Sequence, residues 1–207
     1  MKRMVRTSFA MLLTFLFFAF LPDKGQAQAV LEEGSEGYEV TVFQEDLHKL
    51  GYLPVAATGY FGPLTTEAVR NFQYDFNLTV DGIAGPGTKH RIQEVHKMAR
   101  IVYGEARGES FEGQVAVAAV MKNRLYSTQF PSSVSGVIFQ RNAFTAVQDG
   151  QYNLTPDATA YRAVVEAWRG WDPSAGSLYY FNPDIATSEW IKTRTPEFRI
   201  GKHVFAY

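Results

Sequence analysis

The chain has 207 residues, a formal net charge of −1 and no cysteine. Disulfide scaffolds and cysteine-nucleophile peptidases are thereby excluded, and the 46% apolar content is ample for packed cores instead. Residues 1–29, read below as a leader, carry four basic side chains and one acidic one, so the remainder falls from −1 to −4. Such a mildly acidic chain is not a nucleic-acid binder, which would need clustered Lys and Arg.

The N-terminus predicts an export signal. Lys2, Arg3 and Arg6 precede an apolar run from Phe9 to Leu21, and Ala27-Gln28-Ala29 offers small residues for cleavage. The run is short for a membrane span and no second one follows, which favours export over anchoring.

Residues 38–93 contain an internal repeat. Thr58-Gly59-Tyr60-Phe61-Gly62-Pro63-Leu64-Thr65 returns as Asp81-Gly82-Ile83-Ala84-Gly85-Pro86-Gly87-Thr88. A helical stretch carrying Phe-Gln precedes each copy: Phe43-Gln44 with Leu47 and Leu50, then Phe72-Gln73 with Phe76. Each Gly-x-x-Gly-Pro-x-Thr element reads as a tight turn whose Thr caps the next helix. Thr65 would start a helix through Val69 and Phe72, and Thr88 one through Ile92. The expectation is a bundle of about three helices joined by glycine turns. Phe72 reads as core. Tyr52 and Tyr60 border the turns, where they can either fill the bundle or stack on a sugar face.

The repeat stops before residue 95. Glu94 to Arg107 reads as a helix, with Met98, Val102 and Glu105 on one face. Ser110 can cap the next helix, which runs through Val115, Val117, Val120, Met121 and Leu125 and is apolar on nearly all sides, as a buried centre should be. Thr155-Pro156-Asp157 starts another, through Tyr161, Val164, Val165 and Trp168, and Gly170 ends it. Leu178 to Phe181 and Arg199 to Ala206 read as short strands, with turns such as Asn182-Pro183-Asp184 between them. The fold class is α+β: a three-helix module, then a mainly helical domain over residues 95–207 with a small sheet. No Pro/Ser-rich linker divides them, so they are expected to lie close together.

The available chemistry is narrow. His48, His90, His96 and His203 are too scattered for a zinc spacing, His90 and His96 fall at the domain junction and read as exposed, and no metal or cofactor is expected. Gly-x-Ser-x-Gly, Ser-x-x-Lys and phosphate-binding loops are all absent. Carboxylates remain. Glu105 continues an apolar stripe, and desolvation favours the proton-carrying form of a carboxyl, as a general acid for glycosidic cleavage requires. Gly104 and Gly108 leave room for another backbone or a ligand beside it. The alternative is a helix-end Glu paired with Arg107 or Lys97. Around it lie aromatic and amide-rich segments suited to sugars, with Phe144, Thr145, Tyr180, Asn182, Trp190 and His203 as candidate contacts. Phe144, Tyr179 and Trp190 can equally be core, and strand alternation makes one of Tyr179 and Tyr180 face inward.

Residues 38–93 resemble the peptidoglycan-binding domain of bacterial wall hydrolases through Leu50-Gly51-Tyr52, Gly59-Tyr60-Phe61-Gly62, Ala68-Val69, Phe72-Gln73, Asp81-Gly82-Ile83 and Gly85 with Thr88. Thr58 departs from the family's usual Asp. Residues 95–207 resemble the catalytic domain of the spore cortex-lytic enzymes of the SleB type. That likeness rests on Tyr103-Gly104-Glu105-Ala106-Arg107-Gly108-Glu109, Glu112-Gly113-Gln114-Val115-Ala116-Val117, Asn123-Arg124 and Ala143-Phe144-Thr145-Ala146-Val147. It continues through Gly170-Trp171-Asp172-Pro173, Tyr179-Tyr180-Phe181-Asn182-Pro183, Ala186-Thr187-Ser188 and Ile200-Gly201-Lys202-His203-Val204-Phe205. Two departures stand out: the family's long polar linker is missing, and Lys192 replaces a second Trp after Trp190-Ile191.

The resemblance implies an exported enzyme that degrades spore-cortex peptidoglycan, with its muramic lactam, at the outer face of the spore inner membrane during germination. It implies Glu105 as catalytic acid of a lytic transglycosylase cutting the bond from N-acetylmuramic acid to N-acetylglucosamine, a 1,6-anhydro product, and a membrane-anchored partner protein. A monomer is expected. Such a route needs one carboxyl, and Asp149 is expected to hold a turn rather than act opposite Glu105. Two alternatives stay open: an N-acetylmuramoyl-L-alanine amidase, which would need a zinc site, and a wall-binding protein without catalysis.

Overall fold

The structure is a computed structural model that describes residues 29–186 and 189–207. The expected export signal therefore lies almost wholly outside the described residues, as do Thr187 and Ser188.

The repeat builds helices α1 (Tyr38–Lys49), α2 (Pro63–Asp75) and the first half of α3 (Pro86–Ala106). Gly62 and Gly85 take the N-cap positions, and Pro63 and Pro86 open the helices, where a missing N–H is harmless. This corrects the expectation of threonine caps. Thr65 and Thr88 lie inside the first turn, where each hydroxyl accepts from a buried glutamine, Gln44 at 2.9 Å and Gln73 at 3.0 Å. Each glutamine is the clamp of its repeat. Gln44 Nε2 also reaches the Tyr60 carbonyl while its Oε1 takes the N–H groups of Thr58 and Gly59. Gln73 does the same with Asp81 Oδ1, the Ile83 carbonyl and the N–H groups of Asp81 and Gly82. The glycine turns are thus pinned from beneath by amides that the helices carry inward.

Helix α3 is the main departure from the expected layout. The helix expected after Thr88 and the one expected over 94–107 are a single rod of 21 residues, about 30 Å long. Its first half belongs to the repeat module and its second half to the following domain. There it packs on α4 (Phe111–Tyr126) and α7 (Ala158–Arg169), the central pair. Ser110 caps α4 by accepting from Gly113 N, Asp157 caps α7 from Ala160 N, and Gly170 ends α7 at φ +110, all as expected. Residues 113–121 of α4 are buried without a break.

Short pieces complete the second domain: α5 (Val134–Ile138), α6 (Thr145–Gln148) and a 3-10 turn at Gln151–Asn153. The sheet has strands β1 (Tyr179–Phe181), β2 (Phe198–Ile200) and β3 (His203–Ala206), antiparallel, with β3 in the middle. The strand expected over 199–206 is a hairpin, because Gly201 turns the chain at φ +56. A last helical turn, α8 (Glu189–Lys192), lies between β1 and β2.

The two domains share one core. Phe76, at the end of α2, stacks 5.2 Å from Trp168 of α7, and both are buried. Asp75 accepts from Tyr52 Oη at 2.7 Å and from Arg169 Nε at 2.8 Å. His96 links Asp46 of α1 to the Tyr161 hydroxyl of α7, at 3.0 Å on each side. His96 was expected to be exposed; its apolar neighbours and two polar partners enclose it instead.

Candidate active site

Glu105 sits in the last turn of α3, on the stripe that begins with buried Met98 and Val102. Its carboxylate receives three hydrogen bonds. Ala146 N donates to Oε1 at 2.6 Å, Thr145 Oγ1 lies 2.9 and 3.1 Å from the two oxygens, and Tyr180 Oη lies 3.2 Å from Oε2. The first two come from the start of α6, whose free N–H groups suit a carboxylate. The third comes from β1. The simple alternative of a helix-end ion pair does not hold: Arg107 turns to the Tyr103 and Gly104 carbonyls and to Gln151, and Lys97 donates to Ser135.

Gly104 makes this arrangement possible. A Cβ there would stand 2.5 Å from the Cβ of Ala146, so α6 can close on Glu105 only because position 104 has no side chain. The close approach expected beside Gly104 is therefore made by the methyl group of Ala146. Gly108, by contrast, faces open space.

The Tyr180 ring packs edge-on to His203 at 5.1 Å and tilted on Phe205 at 6.0 Å. Burial, and next the charge of Glu105, push the Tyr180 hydroxyl well above its ordinary pKa, so it acts only as a neutral hydroxyl. Arg124 lies beneath, 5% exposed, with its guanidinium 5.1 Å from the rings of both Phe130 and Phe144 and its Nε on the Leu178 carbonyl at 2.8 Å. Burial lowers its pKa, while Tyr180, Tyr179 and Glu105 oppose that. The sequence signal for it is an arginine on the mainly apolar α4.

The other carboxylates are occupied elsewhere. Glu109 Oε2 accepts from Lys202 N at 3.1 Å and fills the space a side chain at Gly201 would need, so it holds the β2–β3 turn. Asp149 takes both the backbone N–H and the side-chain amide of Gln151, which lower its pKa, and it holds the turn expected of it. Glu112 is exposed in the first turn of α4. Among the described residues, no three His, Cys, Asp or Glu side chains converge as a metal-binding group.

The candidate sugar contacts divide. Thr145 and Tyr180 meet at Glu105. Trp190 is 53% exposed beside Tyr179 and Arg194, and Tyr60 is 49% exposed on the module. Asn182 is half-buried and accepts from Asp184 N, shaping the turn after β1. Three expectations are corrected. Phe144 is 2% exposed and fills the core under Thr145. His203 is 8% exposed, a support for the Tyr180 ring rather than a sugar ligand. Tyr52 is bonded to Asp75 in the joint between domains, its ring against Phe72 at 5.4 Å, and is not free to stack on a sugar. Lys192 pairs with Glu189 at 2.9 Å.

Comparison with known proteins decides the family. Residues 108–206 match the model of the Cell Wall Hydrolase family, and residues 36–92 match that of the peptidoglycan binding domain. A Bacillus cereus spore cortex-lytic enzyme is 42% identical over 221 residues, covering 85% of each chain. This chain belongs to the spore cortex-lytic enzyme family. Its relative from Oceanobacillus iheyensis is 40% identical over 238 residues, covering 85% of this chain and 86% of that one. Among solved structures, the catalytic domain of the Bacillus cereus SleB protein is 59% identical, with a TM-score of 0.52, over 55% of this chain and 89% of that one. The catalytic domain of the germination-specific lytic transglycosylase SleB from Bacillus anthracis is also 59% identical, with a TM-score of 0.53, over 55% and 93%. Glu105 lies three residues ahead of the stretch matched by the hydrolase model.

Proposed function

We propose that this chain is a lytic transglycosylase of spore-cortex peptidoglycan, exported by residues 1–29 and active during germination, with Glu105 as its one acid and base. The observation that carries this reading is the set of three donors on the Glu105 carboxylate, from Thr145, Ala146 and Tyr180. Family membership and the lytic transglycosylase activity of the Bacillus anthracis relative support it.

The donors make the two oxygens of Glu105 chemically different. Oε1 faces a backbone N–H, which can only donate, so it stays an acceptor. Oε2 faces the hydroxyls of Thr145 and Tyr180, which can rotate to accept as well as donate, so it is the oxygen suited to pass a proton to a leaving group. As general acid, Glu105 gives a proton to the glycosidic oxygen as the bond from C1 of N-acetylmuramic acid breaks. The resulting carboxylate, now held by three donors, takes the proton of the muramic 6-hydroxyl. O6 bonds to C1, and a 1,6-anhydro ring closes without water.

A hydrolase with paired carboxylates would place a second one roughly 5 to 9.5 Å from the acid. Glu109 and Asp149 are both engaged in turns of their own, which favours the one-carboxyl route. Mass spectrometry of cortex digested by the native chain tests the reading: anhydro-muramic ends support it, while reducing muramic ends or free peptide stems on intact glycan contradict it.

A further inference from the structure

Tyr52 belongs to a joint that neither domain needs for its own chemistry. The module meets the catalytic domain through three separate sets of contacts. Helix α3 runs through both without interruption, and its central residues Ile92, Val95, Met98 and Ala99 are buried. Beside it, Phe76 stacks on Trp168, and Asp75 joins Tyr52 to Arg169. On another side, His96 ties Asp46 to Tyr161. A helix alone can bend and one lateral contact leaves a hinge, but three separated attachments with a shared apolar core remove the hinge axis.

We infer that this joint is a specificity determinant: by fixing the module against the catalytic domain, Phe76, Trp168 and Asp75 set how far from the anchoring point each glycan strand is cut. The inference rests on the reading of Glu105 as the cutting group. Exposed Tyr60 marks the far end of α2 from the joint, about 20 Å along a helix of 13 residues. Glu105 lies at the far end of α3, about 30 Å from the module's last turn. Neither distance can vary while the joint holds. A strand gripped by the module therefore meets Glu105 at a set position, and released fragments share a preferred length.

The test uses the full chain and a variant with ten Gly/Ser residues inserted between Gln93 and Glu94 together with Asp75→Ala, Phe76→Ala and His96→Ala, which releases all three attachments. Small-angle scattering reports the joint, and chromatography of fragments from purified cortex reports the cut. The native chain should scatter as one compact particle and release a narrow range of fragment lengths. The variant should scatter as an extended ensemble and release a broad range, while cleaving short soluble glycan fragments within about twofold of the native rate. An extended native particle, or an opened variant with an unchanged fragment range, overturns the inference and leaves the role of Glu105 intact. Failure of the native chain to cleave either substrate overturns both. Should the variant not fold, native scattering and the native fragment range still decide.

Discussion

The Cβ of Ala146 stands 2.5 Å from the point where a side chain on Gly104 would begin. The last turn of α3 and the first turn of α6 touch there, and the contact delivers Ala146 N to Glu105. Gly104→Ala should push α6 outward and lengthen that bond. A hydrogen bond to a charged group contributes about 1.5–3 kcal/mol, so turnover should fall roughly 10- to 100-fold. Helix propensity gains about 1 kcal/mol in the same change, which offsets part of the clash. Kinetics on cortex with thermal melts should show activity lost well beyond stability.

Tyr180→Phe removes one of the two hydroxyls on Oε2 and leaves the ring packed on Phe205. Turnover should drop about tenfold while the melting temperature changes by only a few degrees. Thr145→Val should act in the same direction and more strongly, since its hydroxyl reaches both oxygens. Steady-state rates for the two single variants and the double variant would check this. Losses that simply multiply would argue against a shared target.

Gln73 shows how a module can depend on one buried amide. Gln73→Leu leaves the buried Gly82 N–H without an acceptor, while Asp81 N and the Thr88 hydroxyl keep the Thr79 and Ile83 carbonyls. An unmet buried donor costs about 1–3 kcal/mol, so a loss of about that size is expected in urea unfolding. Gln44→Leu should do the same to the first repeat.

His203 makes stability depend on pH. Burial first, with Lys202 assisting and Glu109 opposing, holds its pKa below the ordinary 6.5 in the folded chain. Between the folded and unfolded pKa values the unfolded chain binds the extra proton, so stability is lost as pH falls below about 7. The slope contributed is at most about 1.4 kcal/mol per pH unit. Urea unfolding at pH 7.5 and 5.5 should show a smaller pH difference in His203→Gln than in the native chain.

Much of the fold was legible in periodicity and caps. Ser110, Asp157 and Gly170 bound their helices because each cap needs a particular small or polar residue. The length of α3 was not legible: the repeat's turn chemistry ends at Thr88, and nothing local says that the helix it starts continues into the next domain. Glu105 stood out by its place on an apolar stripe. Thr145 and Tyr180 stood out only as sugar contacts and Ala146 not at all, since it contributes only a backbone N–H and α6 is too short for a periodic signal. Aromatic residues misled in both directions, because Phe144 and Tyr52 differ from Trp190 in tertiary surroundings and not in local pattern.

The most direct measurement pairs rate with product for Glu105→Gln on purified cortex. General acid catalysis contributes about 10²- to 10⁴-fold, so the variant should lose at least that much, fold normally, and yield no anhydro-muramic ends. Release of anhydro-muramic fragments by the Glu105→Gln chain at the native rate would contradict the account.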